Sequence, residues 1–464
     1  MIMDERVVRV ESLAAEGDAV ARDEQGLALF IPYGVPGDRL RVRLVERHPR
    51  WARAEILEIL EPSPVRAEAP CPLFGRCGGC TWQNVRYGSQ LEAKRRLVRD
   101  ALERIGRLGG VEVAATLPSP SPWRYRNKVS LPLARSGDGG LRAGFYRRGT
   151  HEVIPFAGCA VEHPLIDRVV RGFLEVARER RLEGYDEREG RGLLRHLVVR
   201  VAPRAGRALA ALVVAASRWP EGPEVARELM RRLPELEGVV ASAHPRPGNA
   251  VWGERDWLLA GRGELEEEME VAGWGRLRFR IAARSFFQVN EAQAERLYAL
   301  ALEGAALAPG ARVVDLYTGV GTLALFAALR AGEVTGVEEV PAAVEDARRN
   351  AERNGLEGRA RFLLGRAETL LPRLVARGRA APDALLLDPP RKGAAPEVLD
   401  AIRRAAPRRV VYVSCNPATL ARDLARLADT GGPGAAYRVA RVTPVDLFPQ
   451  TAHVEAVAWL ERAG

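Results

Sequence analysis

The sequence predicts a multidomain chain with three parts in a row: a small OB-like β-barrel, a central α+β domain carrying a cysteine cluster, and a C-terminal Rossmann-like α/β domain. Three observations carry this. The first 61 residues are short alternating runs broken by Gly, Pro and Asp, four of the five cysteines fall between positions 71 and 159, and from Asn290 onward apolar strands alternate strictly with amphipathic helices. At 464 residues the chain has room for about three domains. The boundaries are placed at 1–61, 62–285 and 286–464.

Within the first part, RVVRVESL, LALFIPYG, RLRVRLVE and RAEILEIL read as strands with one apolar face, and about five such strands close a small barrel. Pro62, Pro64 and Pro70 then stiffen a linker. A helix is expected at about 87–108, where apolar residues recur at helical spacing among Arg and Glu. From about Trp123 to Phe287 strands dominate (KVSLPLA, LVVRVAP, ALAALVVAAS, LEGVVASAH, LRFRIAA), with helices near 164–182 and 222–233, which suggests an antiparallel α+β unit. The last part is expected as helix 290–304, strand ARVVDLY, helix 321–331, strand VTGVEEV, helix 341–354, strand ARFLLG, a helix, strand ALLLDPP, helix 396–404 and strand RRVVYVSC. Continuous apolar strands between amphipathic helices imply a parallel sheet covered on both faces, which holds ligands at the carboxyl ends of its strands.

Hydrophobic residues at 47% and charged residues at 28% exclude wholesale disorder. No run of 18 apolar residues occurs and MIMDERVVRV lacks an apolar h-region, so neither a membrane span nor a secretory signal is expected and the chain is assigned to the cytoplasm. Lys and Arg exceed Asp and Glu by 70 to 60, a surplus that favours a polyanionic partner through phosphate neutralisation. Only Lys94, Lys128 and Lys392 are lysines, however, and a GC-rich genome produces the same arginine excess without help from function.

The motifs with chemistry in them fall at expected strand ends. DLYTGVG, from Asp315 to Gly321, opens a helix with Gly319 and Gly321 where backbone can approach a ligand. It lacks the third glycine of a dinucleotide fingerprint, and its acidic residue suits a ligand with an amino or sulfonium group rather than a pyrophosphate. Glu338 ends the next strand, where a carboxylate can accept both hydroxyls of a ribose. Together the two acids point to S-adenosylmethionine rather than NAD. Asp388 ends the strand before two prolines that stiffen the turn, a rigid setting in which a carboxylate can hold an extruded base or the methionine moiety of the cofactor. Cys415, in VVYVSCNP, ends the following strand; a lone Cys there is usually packing, but beside a methyl donor its thiolate can attack carbon 6 of a pyrimidine. The proton then lost from carbon 5 needs a base, and Glu455 in TAHVEAVAWL is the carboxylate in an otherwise apolar strand. Cys71, Cys77 and Cys80, spaced C-x5-C-x2-C, with the distant Cys159, form a thiolate set for an iron–sulfur cluster or a structural zinc, and sequence does not separate the two.

In combination these residues resemble the RNA 5-methyluridine methyltransferases, specifically the iron–sulfur branch that acts on 23S ribosomal RNA. The match covers essentially the whole chain: a barrel like the TRAM domain, CPLFGRCGGCTWQ, SFFQVN, DLYTGVG, DPPRKG, SCNP and HVE. The resemblance implies Cys415 as nucleophile and Glu455 as base, with Gln288, Tyr317, Gly319, Gly321, Glu338 and Asp388 around S-adenosylmethionine. It further implies a [4Fe-4S] cluster on Cys71, Cys77, Cys80 and Cys159, and a monomer acting on 23S ribosomal RNA. One departure is Arg366 in LLGRAETL, where a polar acceptor for the adenine amino group is expected; Glu368 or a backbone carbonyl is the substitute. From the residues alone, Phe286 and Phe287 beside Gln288 read equally well as a packed aromatic pair. WRYRNK (123–128) and GFYRRG (144–149) are candidates for stacking on unpaired bases or, equally, amphipathic strands with a solvated Arg face. The competing readings are the same chemistry on the T-loop uridine of tRNA, and a non-catalytic RNA-binding assembly factor.

Overall fold

The structure is a computed structural model and describes residues 4–136, 140–187, 189–246, 248, 250–376, 382–431 and 433–463. The N-terminal strands β1 (Glu5–Leu13), β2 (Ala19–Arg22), β3 (Ala28–Ile31), β4 (Arg39–Arg47) and β5 (Trp51–Glu61) close a barrel in the order β1-β2-β3-β5-β4. Val8, Val10, Leu29, Ile31, Leu40 and Val42 alternate inward and are buried. Outward arginines meet glutamates of the neighbouring strand, as in Arg41–Glu58 at 2.7 Å and Arg39–Glu61 at 2.9 Å. Trp82, Val85 and Ala452, all distant in sequence, complete the barrel core.

Helix α1 (Tyr87–Arg104) follows, ending before the predicted Leu108. The central sheet comprises β6 (Lys128–Arg135), β7 (Leu141–Tyr146), β8 (Val153–Pro155), β9 (Leu194–Ala202), β10 (Arg207–Val214), β11 (Leu236–Ala243) and β12 (Arg255–Gly261), ordered β12-β11-β10-β9-β6-β7-β8. Helices α2 (Pro164–Glu179) and α3 (Gly222–Arg232) cover it through Phe173, Val176 and Leu229. The sheet is not wholly antiparallel as expected: β10 and β11 run parallel, because α3 is the crossover that a parallel pair requires.

The hairpin β13 (Glu264–Val271) and β14 (Gly275–Ala282) precedes α4 (Glu291–Ala305). Then come β15 (Arg312–Leu316), α5 (Thr322–Ala328), β16 (Glu333–Glu338), α6 (Pro341–Arg353), β17 (Ala360–Leu364), α7 (Ala367–Ala376), β18 (Ala384–Leu387), α8 (Pro396–Ala405), β19 (Arg409–Ser414), α9 (Pro417–Ala428), β20 (Tyr437–Val445) and β21 (Glu455–Arg462). The sheet order β17-β16-β15-β18-β19-β21-β20 holds five parallel strands, with β21 and β20 added antiparallel at one edge. The chain steps outward from β15 to β17 and returns to β18 beside β15, so the switch point lies between β15 and β18, where such sheets bind ligands.

Two segments pack outside their sequence neighbourhood. Met269, Val271, Leu277, Phe279 and Ile281 of the hairpin share a buried cluster with α4 and α5, and Val98, Ala101 and Leu102 of α1 share one with β18, β19 and α9. Their apolar faces are buried wherever a complementary face exists, not where the chain order puts them.

Candidate active site

β15 delivers Asp315 level with Leu386 of β18. The chain then turns through three left-handed residues, Tyr317 (φ 62°), Gly319 (φ 57°) and Gly321 (φ 84°). A Cβ on Gly319 would meet nothing within 4 Å, so this glycine serves the backbone conformation and faces open space; one on Gly321 would stand 2.9 Å from the Phe362 ring. Glu338, closing β16, accepts from the Gly319 amide at 3.0 Å and the Val340 amide at 2.9 Å. Each carboxylate oxygen keeps a lone pair for a ligand hydroxyl. Tyr317, Glu338, Arg366, Glu368 and Lys392 line one pocket there. Arg366 stands at its edge, 3.7 Å from Glu368 and 3.9 Å from Glu339, so an acceptor carboxylate is present in the same pocket.

Among the described residues, neither Asp315 nor Asp388 forms an ion pair. Asp315 is buried and accepts from Thr318 Oγ1 at 2.5 Å, yet burial, with Asp388 and Glu338 adding repulsion, pushes it up to about 7. Asp388 also rises to about 7, through burial. No cation is among the leading influences on either acid. A donor set of this kind fits a ligand with a positive amino or sulfonium group, and it disfavours phosphate.

Cys415 and Glu455 meet across β19 and β21. Ser414 pairs with Ala456 at the last rung of an unbroken register, and Cys415 and Glu455 are the next residue on each chain segment, near enough for Glu455 to bear on the thiol. Glu455 is only 6% exposed. Burial, then Asp388, pushes its carboxyl up to about 8 against the opposing Arg391 and Lys94. Burial also pushes the Cys415 thiol up to about 11, with Glu455 and Asp388 adding to the rise and Arg391 opposing it. The loop is held rigidly: Asn416 Oδ1 accepts from the Ala418 amide at 3.0 Å and its Nδ2 donates to the Arg391 carbonyl at 3.0 Å, stitching SCNP to DPPR.

Gln288 is partly buried, and its carbonyl accepts from Asn127 Nδ2 at 3.2 Å, tying the pocket to the central sheet. Its side chain reaches the buried Tyr298, whose hydroxyl lies in the field of Asp388, Asp315 and Glu455. Tyr298 and Arg391 are site residues that sequence reading missed. Arg391 lies inside the quoted DPPRKG, so its place was visible and only its role was not; Tyr298 carries no local signal, because only the packing of α4 brings it there. Phe287 is buried and packs on Phe279 at 5.8 Å, whereas Phe286 is 72% exposed, so the two are not a packed pair.

The four remaining cysteines line one cavity of about 400 Å³, with Arg126, Lys128 and Glu162. Burial raises Cys77, Cys159 and Cys80, the last to about 11. Among the described residues no three His, Cys, Asp or Glu side chains are grouped to hold a single ion. Zinc requires four donors at about 2.3 Å from one point, while an iron–sulfur cluster spreads four thiolates around a larger body. The four thiols share the walls of that cavity.

The segments expected to stack on RNA are largely engaged within the protein. Tyr125 is buried with its hydroxyl donating to the Pro449 carbonyl at 3.0 Å, Phe145 packs on Phe156 at 5.9 Å, and Arg148 donates to Asp18 at 2.7 Å. They serve to join the central domain to the barrel and to the β20–β21 connection.

Known proteins resemble the chain along nearly its whole length. The tRNA (Uracil-5-)-methyltransferase family model matches residues 375–463 and the TRAM domain model matches residues 1–57. An uncharacterized RNA methyltransferase of Halalkalibacterium halodurans is 42% identical over 98% of this chain and 96% of its own length. Another, of Gloeobacter violaceus, is 43% identical over 98% and 96%. The chain belongs to the TRAM-containing RNA uracil-5 methyltransferase family. Among solved structures, the Pyrococcus abyssi tRNA (uracil-54, C5)-methyltransferase in complex with S-adenosyl-L-homocysteine has a TM-score of 0.75 and 27% identity, covering 98% of this chain and 100% of that one. This family member has, among its described residues, no helix long and apolar enough to cross a membrane.

Proposed function

We propose that this methyltransferase modifies carbon 5 of a uridine in 23S ribosomal RNA through a covalent Cys415 adduct, as a monomer in the cytoplasm. The observation that carries the reading is the thiol set opposite a buried carboxyl, beside Asp388. Once its proton has passed to solvent, Cys415 adds as the thiolate to carbon 6 of the uracil, and the displaced electron pair makes carbon 5 an enolate-like nucleophile. S-adenosylmethionine, when bound, supplies the methyl group that carbon 5 takes up. The Glu455 carboxylate then accepts the proton from carbon 5; the freed pair restores the carbon 5–carbon 6 double bond and expels the Cys415 thiolate. Arg391 stabilises that thiolate at both ends of the cycle. Asp315 and Asp388 bind the cationic groups of the donor, and Glu338 the ribose hydroxyls, with Gln288, Tyr317, Gly319 and Gly321 forming the walls.

Cys71, Cys77, Cys80 and Cys159 would hold a [4Fe-4S] cluster. Far in sequence from Cys415, it would act as a cross-link between the 71–80 loop and the central sheet, not as a redox centre.

The name of the Pyrococcus abyssi neighbour supports a second reading, with a transfer RNA as substrate. Purified 23S ribosomal RNA and tRNA from a strain lacking the gene, each incubated with methyl-labelled donor, distinguish the two. Label in the ribosomal RNA at one uridine is expected. Label confined to tRNA would transfer the activity to the second reading, and label in neither would favour a non-catalytic assembly factor.

A further inference from the structure

Helix α1 carries three polar side chains, Tyr87, Gln90 and Lys94, that all reach the connection between β20 and β21. Lys94 and Asp446 are both fully buried, with Nζ 2.5 Å from Oδ1. Lys94 Nζ also donates to the Phe448 carbonyl at 3.0 Å. Tyr87 donates to Asp446 Oδ2 at 2.7 Å and accepts from the Ser119 amide at 2.8 Å. One turn away Gln90 and Gln450 bond reciprocally, Nε2 to Oε1 at 2.9 Å and amide to Oε1 at 3.0 Å. Gln450 is held in a left-handed conformation, φ 68°, that costs free energy unless its surroundings fix it. The amides of Thr81 and Trp82 donate to its carbonyl at 3.1 and 3.0 Å.

A buried ion pair contributes little stability that well-packed apolar residues would not. Its position is the informative feature: the connection it fixes ends at Glu455, the first residue of β21. We propose that Lys94, clamped by Asp446, is a positioning residue for Glu455, holding the β20–β21 connection so that the carboxyl group emerges opposite Cys415. This rests on the reading of Glu455 as the base. The groups facing Glu455 are Asp388 and Arg391 from the loop after β18, Cys415 from the loop after β19, Tyr298 from α4 and Lys94 from α1. Of the two cations, Arg391 lies on the exposed side, while Lys94 is enclosed and favours the ionised carboxylate from behind.

The test compares Lys94→Met and the double variant Lys94→Met/Asp446→Asn, which leaves no unpaired buried charge, with wild type and with Glu455→Gln. The probe is RNA from a strain lacking the gene with methyl-labelled S-adenosylmethionine, and the readout is the lifetime of the denaturation-resistant, labelled protein–RNA adduct across pH. Both Lys94 variants should bind the donor and form the adduct normally. Adduct decay at pH 7 should slow by about tenfold, with its acidic limb moved up by about one pH unit, because loss of the ammonium makes Glu455 harder to ionise. If Lys94→Met does not fold, the double variant decides. Decay at the wild-type rate with an unchanged pH profile overturns the proposal. So does loss of adduct formation with donor binding intact, because that puts Lys94 at the thiol step. A Glu455→Gln adduct that decays normally overturns the base reading and this inference with it, independently of either Lys94 variant.

Discussion

Asp388 is buried at a cost in stability, and the donor-binding role proposed for it is what would offset that cost. An acid whose folded pKa stands above its unfolded value binds more protons when folded, so its unfavourable burial grows as pH rises from near 4 to its folded value of about 7. Asp388→Asn removes that charge. At pH 8 it should raise the thermal midpoint by roughly 2–4 °C, the effect of about 1 kcal/mol in a large domain, while weakening S-adenosylmethionine binding by at least about tenfold. In the wild type, donor affinity should fall as pH drops through about 7, where Asp315 and Asp388 take up protons. Scanning fluorimetry and titration calorimetry at pH 6 and 8 check both; a variant that loses stability while keeping donor affinity would remove Asp388 from the pocket. Residues named by motifs, such as Asp315, Glu338 and Cys415, were legible because strand-end position and residue type together restrict the chemistry. Lys94, Tyr298 and Arg391 were not, since each comes near the candidate site through tertiary neighbours that no local spacing reports.

Among elements, the strand and helix alternation after Asn290 was legible because buried parallel strands are continuous apolar runs and their helices are amphipathic. What the alternation hid is the edge: β20 and β21 run antiparallel, and only that reversal brings Glu455 back to Cys415. Likewise α1 and the β13–β14 hairpin read locally as parts of the middle region, yet their apolar faces are buried in the C-terminal cores. The 71–82 loop shows the same dependence on distant partners, for it meets Cys159 only through the fold and is bonded at Thr81 and Trp82 to Gln450. Anaerobically purified protein should be brown and carry about four irons per chain, and Cys80→Ser should lose both colour and iron. One zinc per chain without iron, by metal analysis of the same preparation, would replace the cluster with a structural zinc.

The whole molecule is less modular than its sequence suggests. Trp82 Nε1 donates to the Gly17 carbonyl at 3.0 Å, and Ala452 sits in the barrel core, so the barrel is built onto the connection that leads to Glu455. Arg39, Arg41 and Arg43 of β4 are paired with glutamates on β5, which leaves fewer arginines for phosphates than the net charge of +10 suggests. The parts converge on a single geometric claim, that one thiol and one carboxyl facing each other across β19 and β21 act in sequence on the same base. Its most direct test is denaturing electrophoresis of Glu455→Gln, Cys415→Ala and the double variant after incubation with RNA and methyl-labelled donor. The account predicts a labelled protein–RNA band that accumulates in Glu455→Gln and is absent from both variants lacking Cys415. Turnover of Glu455→Gln at the wild-type rate, or an adduct that persists without Cys415, would contradict it.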